Sequence, residues 1–180
     1  MSLFSSVELA PRDPILGLNE QFAADPNPNK VNLGVGVYFD ENGKLPLLDC
    51  VQAAERALME TPKPRGYLPI DGIAAYDDGV KKLVFGADSE PYQSGRIATV
   101  QGLGGTGALK IGADFLKHLS PNAKVLISDP SWENHRALFT QAGFAVGTYR
   151  YYDSATRALN FEGMLADLQA AAPGTIVVLH

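Results

Sequence analysis

The stretch Gly102-Leu-Gly-Gly-Thr-Gly107 sets four glycines and a threonine where a helical pattern begins. Glycines let a backbone approach an anion closely, and the N–H groups that open a helix carry the positive end of its dipole, so this spacing suits a phosphate. The plainer alternative is a glycine turn packed tightly on its own helix. Gly102, Gly104 and Gly107 also satisfy G-x-G-x-x-G, and Asp129 closes the next strand pattern 22 residues beyond Gly107, where a dinucleotide fold places its ribose-binding acid. A nicotinamide cofactor is therefore a rival reading. Against it, Asp129 runs straight into Pro130-Ser-Trp132, and about a hundred residues precede the loop. The second constellation is Ser128-Asp-Pro-Ser-Trp132-Glu-Asn-His135. It falls at the carboxyl end of a strand, on the sheet edge that the glycine loop shares. Trp132 is thus placed to lie over a planar ring, and His135 to reach a ring substituent or a carboxylate touching it. Taken singly, Trp132 also reads as core filler and His135 as a satisfied surface histidine. Cys50 has no His or Lys beside it to lower its pKa and reads as a small core thiol.

The elements that must hold these residues alternate from residue 97 onward. Strands are predicted at 97–101, 124–128, 145–149 and 175–179, and helices at 105–119, 133–142 and 161–171, the last capped by Asn160. Such alternation predicts an α/β protein: a mostly parallel sheet with helices on both faces and right-handed crossovers. Upstream, Asp13-Pro14 opens a helix running to about Ala24. Val31-Asn-Leu-Gly-Val-Gly-Val-Tyr38 reads as a glycine-broken strand before a turn at Glu41-Asn-Gly43. Helices follow at 49–61 and, capped by Asp71, through Tyr76 and Val80 to Gly86. The last strand ends at His180, directly after aliphatic residues that a mid-sheet strand would bury. The sequence accordingly reads as the front part of a longer protein.

Composition narrows the function classes. The 180 residues are 46% hydrophobic and 19% charged, a globular balance with room for a core. A net charge of −5 supplies no basic field for nucleic acid or an anionic membrane. One cysteine excludes an internal disulfide, and His118, His135 and His180 without a cysteine at ligand spacing argue against structural zinc. The N-terminus has no basic n-region and the aliphatic run at 176–179 is too short to span a bilayer, so the expectation is a soluble, cytoplasmic protein.

Five segments taken together carry a resemblance: Asp13-Pro-Ile-Leu-Gly17, the Val31–Tyr38 stretch, Tyr67-Leu-Pro-Ile-Asp-Gly72, Gly104-Gly-Thr-Gly-Ala-Leu109 and Asp129-Pro-Ser-Trp-Glu-Asn-His135. In order and interval the set resembles the class I aspartate/aromatic aminotransferases, which use pyridoxal 5′-phosphate. Leu103, Glu133 and Ala113-Asp-Phe-Leu-Lys117 look more like the aromatic-amino-acid (tyrosine) branch than the strict aspartate branch.

The resemblance implies a fold-type I pyridoxal-phosphate transferase, with residues 1–12 as an N-terminal arm, 13–45 as part of a small domain and 46–180 as the first part of the large cofactor-binding domain. Gly104, Gly105 and Thr106 would hold the cofactor phosphate, and Tyr67 would reach across a homodimer interface to the partner's phosphate. Trp132 would stack on the pyridine ring, and His135 would brace the aspartate that keeps the ring nitrogen protonated. Gly36 would meet the substrate carboxylate through its backbone, and residues 16–18 would lie on the segment closing over the site. In their plain readings Tyr67 is a loop residue packed beside Pro64 and Pro69, and Gly36 is a bulge. The implied activity is a ping-pong exchange from an aromatic or dicarboxylic L-amino acid to a 2-oxo acid such as 2-oxoglutarate, with the α-proton passing to a lysine. That Schiff-base lysine, the ring-nitrogen aspartate and the carboxylate-binding arginines are expected beyond His180, so no catalytic residue of the family falls within the chain. Lys110 is expected to face solvent or sheet. Two alternatives stay open: an NAD(P)-dependent dehydrogenase module built on the 102–107 loop, and an inactive truncated chain with uncovered edge strands.

Overall fold

The computed structural model describes residues 3–8, 16–32, 34 and 36–180, and the chain divides into two units, residues 1–65 and 66–180. In the first unit α1 (Leu16–Ala24) ends as expected; its predicted start at Asp13-Pro14 lies outside the described residues. Two successive Asx turns stop it: Asp25 Oδ1 accepts from Asn27 N at 2.9 Å, and Asn27 Oδ1 from Asn29 N at 2.9 Å. The strand expected over 31–38 is not formed by the described residues there. Instead Asn32 Oδ1 takes the Gly34 N–H at 2.9 Å while its amide donates to Asn19, local bonds that compete with a ladder. The turn after it is present, with Asp40 Oδ1 accepting from Asn42 N and Lys44 N and Gly43 at φ +68°. In α2 (Asp49–Glu60) no residue is buried, so Cys50 in its first turn is exposed rather than a core thiol.

The second unit opens with α3 (Ala74–Phe85). Asp71 does not cap it. Ile73 holds the cap position with no side-chain bond, and the turn is secured through Gln101, whose N–H donates to Asp71 O at 2.9 Å and whose Oε1 accepts from Ile73 N at 3.0 Å. Gly86, at φ +82°, closes the helix as expected. The single turn α4 (Glu90–Gln93) is capped by Ser89, and Tyr92 Oη donates to Asp78 Oδ1 at 2.7 Å, tying it to α3. Residues 97–101 do not form the expected strand, because no strand among the described residues lies beside them to complete a ladder.

From here the alternation appears as read: α5 (Gly104–Leu119), β1 (Lys124–Asp129), α6 (Glu133–Gln141), β2 (Ala145–Arg150), then a short antiparallel hairpin of β3 (Tyr152–Asp153) and β4 (Ala158–Leu159), α7 (Phe161–Gln169) and β5 (Ile176–Val177). Asn160 caps α7, its Oδ1 accepting from Gly163 N at 2.9 Å. The sheet is parallel in the order β2-β1-β5, with Val125 level with both Val146 and Ile176. The path moves outward from β1 to β2 and then back across β1 to β5. Right-handed crossovers in opposite directions place α6 and α7 on opposite faces.

Val125, Ile127, Phe139, Phe144 and Ala113 form the core, joining one sheet face to α5 and α6. Each large apolar member contributes about 1.5–3 kcal/mol relative to exposure. β5 is shorter than expected and not buried in mid-sheet: among the described residues only β1 pairs with it, and Leu179 is 65% exposed.

Candidate functional site

The start of α5 is open and uncapped. Gly104 turns the chain into the helix at φ +64°, a left-handed value that a side chain would strain. Leu103 at the cap position offers no side-chain bond, so the first N–H groups of the helix keep their donor capacity. Gly104, Gly105 and Thr106 are all exposed. Backbone donors and the positive end of a sixteen-residue helix lie at that spot, an arrangement able to take an anion. Lys110 does not enter it, since its ammonium is paired with Asp114 one turn on.

At the carboxyl end of β1 the chain turns through a cis Asp129–Pro130 peptide bond into α6, with Trp132 at its cap position. Trp132 is 38% exposed and meets His135 edge to face, ring centroids 5.4 Å apart. Trp132 therefore is not core filler. His135 is not a surface histidine either: it is 4% exposed, its Nδ1 lies 2.8 Å from Ser131 Oγ, and its ring packs against that of His180 at 4.7 Å. Burial, with the neighbouring His180, holds the His135 pKa below its ordinary value, which favours the neutral ring. Beside Trp132 runs an open cleft of about 620 Å³ bordered by Asp129, Glu133, Arg136 and Thr148. Tyr149, next to Thr148 in β2, faces the other side of the sheet, fully buried with its hydroxyl donating to Val178 O at 2.9 Å, and burial raises its pKa.

Of the residues singled out in the sequence, Trp132 and His135 are in contact, and α5, which carries Gly104, Gly105 and Thr106, packs against α6, which follows Trp132. Tyr67 is not packed beside prolines but projects fully into solvent. Gly36 lies in the other unit, exposed and in no strand, so it is not a bulge; nothing stands within 4 Å of where its Cβ would be. Ser131 and His180 were not assigned roles from sequence. Ser131 was findable four residues before His135, one helical turn away, whereas His180 is joined to it only by the sheet.

The family described as aminotransferase class I and II matches residues 28–180. The aspartate aminotransferase of Pseudomonas aeruginosa is 66% identical over 180 residues, covering all of this chain and 45% of that protein. The aromatic-amino-acid aminotransferase of Escherichia coli is 46% identical over 179 residues, 99% of this chain and 45% of its own length. Among solved structures, the aromatic-amino-acid aminotransferase of Burkholderia pseudomallei, covalently bound to pyridoxal phosphate, superposes with a TM-score of 0.84 at 68% identity, over 100% of this chain and 45% of that one. The chain thus spans somewhat under half the length of these relatives, and none of them supports the dehydrogenase alternative. With the match running through the glycine-rich start of α5, the Trp132–His135 pair and the parallel sheet that carries them, the chain belongs to the class I and II aminotransferases.

Proposed function

We propose that this chain is the front part of a cytoplasmic, homodimeric aminotransferase that uses pyridoxal 5′-phosphate to move an amino group from an aromatic or dicarboxylic L-amino acid to a 2-oxo acid such as 2-oxoglutarate. The observation that carries this reading is the open start of α5, where uncapped N–H groups stand beside Gly104, Gly105 and Thr106. These groups suit the cofactor phosphate: N–H groups and the Thr106 hydroxyl donate to its oxygens, and the helix dipole favours its charge. Trp132 offers its exposed indole face to the ring, which fixes the ring plane and excludes water from one side. His135, its neutral ring favoured by burial, has its Nδ1 taken by Ser131, so Nε2 is the nitrogen left to meet an aspartate that keeps the ring nitrogen protonated. Tyr67, fully exposed, is free to donate its hydroxyl to the phosphate of the second copy. Gly36 offers its backbone to the substrate carboxylate. When bound, the cofactor supplies an electron sink for the substrate carbon that loses its proton. On this reading the lysine that takes this proton lies beyond His180.

The test is an absorption spectrum of the complete protein before and after adding tyrosine. A visible band that moves toward the ultraviolet on adding tyrosine supports the reading. Absence of the band together with tight retention of a nicotinamide nucleotide overturns it.

A further inference from the structure

β2 is the outer strand of its sheet: β1 lies along one side, and among the described residues no strand lies along the other. Backbone groups of alternate residues in a parallel strand point to the same side. Val146, Thr148 and Arg150 form one such set, and two of them hand their backbone groups to side chains. Arg136 Nη1, from α6, donates to Val146 O at 2.9 Å. Asp167 Oδ2, from α7, accepts the Arg150 N–H at 2.8 Å. The Asp167 carboxylate is itself held by the Arg150 guanidinium, with Nη2 to Oδ1 at 2.7 Å and Nε to Oδ2 at 3.0 Å. Among the described residues no side chain covers Thr148 between them, so the edge is open in its middle and interrupted on either side.

An exposed strand edge is a template for pairing with another chain. Here helices on opposite faces of the sheet each send one side chain over the same edge. We propose that Arg136 and Asp167 guard β2 as the permanent end of the sheet and keep a second copy of this chain from adding a strand there. The guard works from both ends: a cation covers an acceptor and a carboxylate covers a donor, so an incoming strand must displace two charge-assisted bonds to pair beyond Thr148.

The test is made on the complete protein. The double variant Arg136→Ala, Asp167→Ala should move to a higher oligomeric state than the unmodified protein by light scattering. Asp167→Asn, which keeps an acceptor oxygen for Arg150 N, should not. Asp78→Ala, which removes the exposed Lys82 partner on α3 away from this edge, controls for general destabilisation and should not associate either. A double variant that keeps the unmodified state, or an Asp78→Ala or Asp167→Asn protein that associates equally, overturns the proposal. Independently of any variant, hydrogen exchange of the unmodified protein should show the Arg150 amide at least about tenfold slower than that of Thr148, since a bonded amide must open first. Equal protection of the two amides also overturns it.

Discussion

Gly72 lies in the turn before α3 and packs on Gln101, the residue that precedes the glycine loop, and its replacement by alanine tests how the two are held together. Its φ is +104°, and an added Cβ would stand 2.3 Å from Gln101 Cβ, 2.9 Å from Gln101 Oε1 and 3.3 Å from Gln101 Cα. The amide end of Gln101 can rotate away, but its Cβ is fixed by a backbone whose N–H is bonded to Asp71 O. Relief therefore requires the backbone to move, which breaks that bond and the one from Ile73 N to Gln101 Oε1. A side chain at left-handed φ costs about 1–2 kcal/mol and overpacking a further 1–3 kcal/mol or so, giving about 2–5 kcal/mol in all. At about 2–4 °C per kcal/mol for a chain of this size, even the lower end is a clear drop in Tm.

The same substitution at Gly112 should act with the opposite sign. Gly112 lies inside α5 with nothing within 4 Å of its Cβ position, so alanine there removes backbone freedom from the unfolded chain and adds about 0.5–1 kcal/mol. Denaturant unfolding of Gly72→Ala, Gly112→Ala and the unmodified protein side by side decides the matter. A Gly72→Ala protein at least as stable as the unmodified one, or a Gly112→Ala protein as destabilised as Gly72→Ala, refutes the steric argument.

Thr106→Ala should weaken cofactor retention by about one charge-assisted hydrogen bond, about 1.5–3 kcal/mol or roughly ten- to hundredfold in Kd, and Trp132→Ala should also release the cofactor faster; equilibrium dialysis of both, with unchanged affinity as the contrary result, checks the site. His135 has its pKa lowered by burial and His180, so its share of stability is complete above the ordinary histidine value near 6.5 and is lost as pH falls through the lower folded value. His135→Gln should flatten that acid limb in a pH series of unfolding midpoints, and an unchanged limb would contradict the burial argument. Asp167 is held down to about 2 by Arg150, so its share is present above the ordinary carboxylate range and lost as pH falls toward 2. Carboxylate NMR titration should find Asp167 the last to protonate in its region, and a midpoint near 4 would deny the pairing.

What was legible in the sequence was whatever a segment decides with its own neighbours. α5, β1, α6, β2 and α7 were readable because their apolar periods and the Asn160 cap are local, and the glycine-rich opening of α5 because glycines and a helix start are adjacent in the chain. Residues 97–101 carry the composition of a strand as clearly as 124–128 do, yet only the second pairs, since a strand is completed by a neighbour that its own sequence does not contain. The turn before α3 misled for a related reason: Asp71 is a good cap residue, but Gln101, about thirty residues on, offers its neighbours better bonds. The hairpin of β3 and β4 escaped because Arg157 takes the left-handed position, at φ +54°, where a glycine would have announced the turn. The site repeats this division. Trp132, His135 and Ser131 share one short motif, whereas His180 is 45 residues from His135 and follows another strand, β5. Register brings them together: Leu126 lies level with Val177, and three residues further along the two parallel strands Asp129 and His180 emerge at the same carboxyl edge. A parallel sheet collects at one edge the last residues of strands that the sequence keeps far apart, so His180 becomes a neighbour of His135 only once the strand order is known.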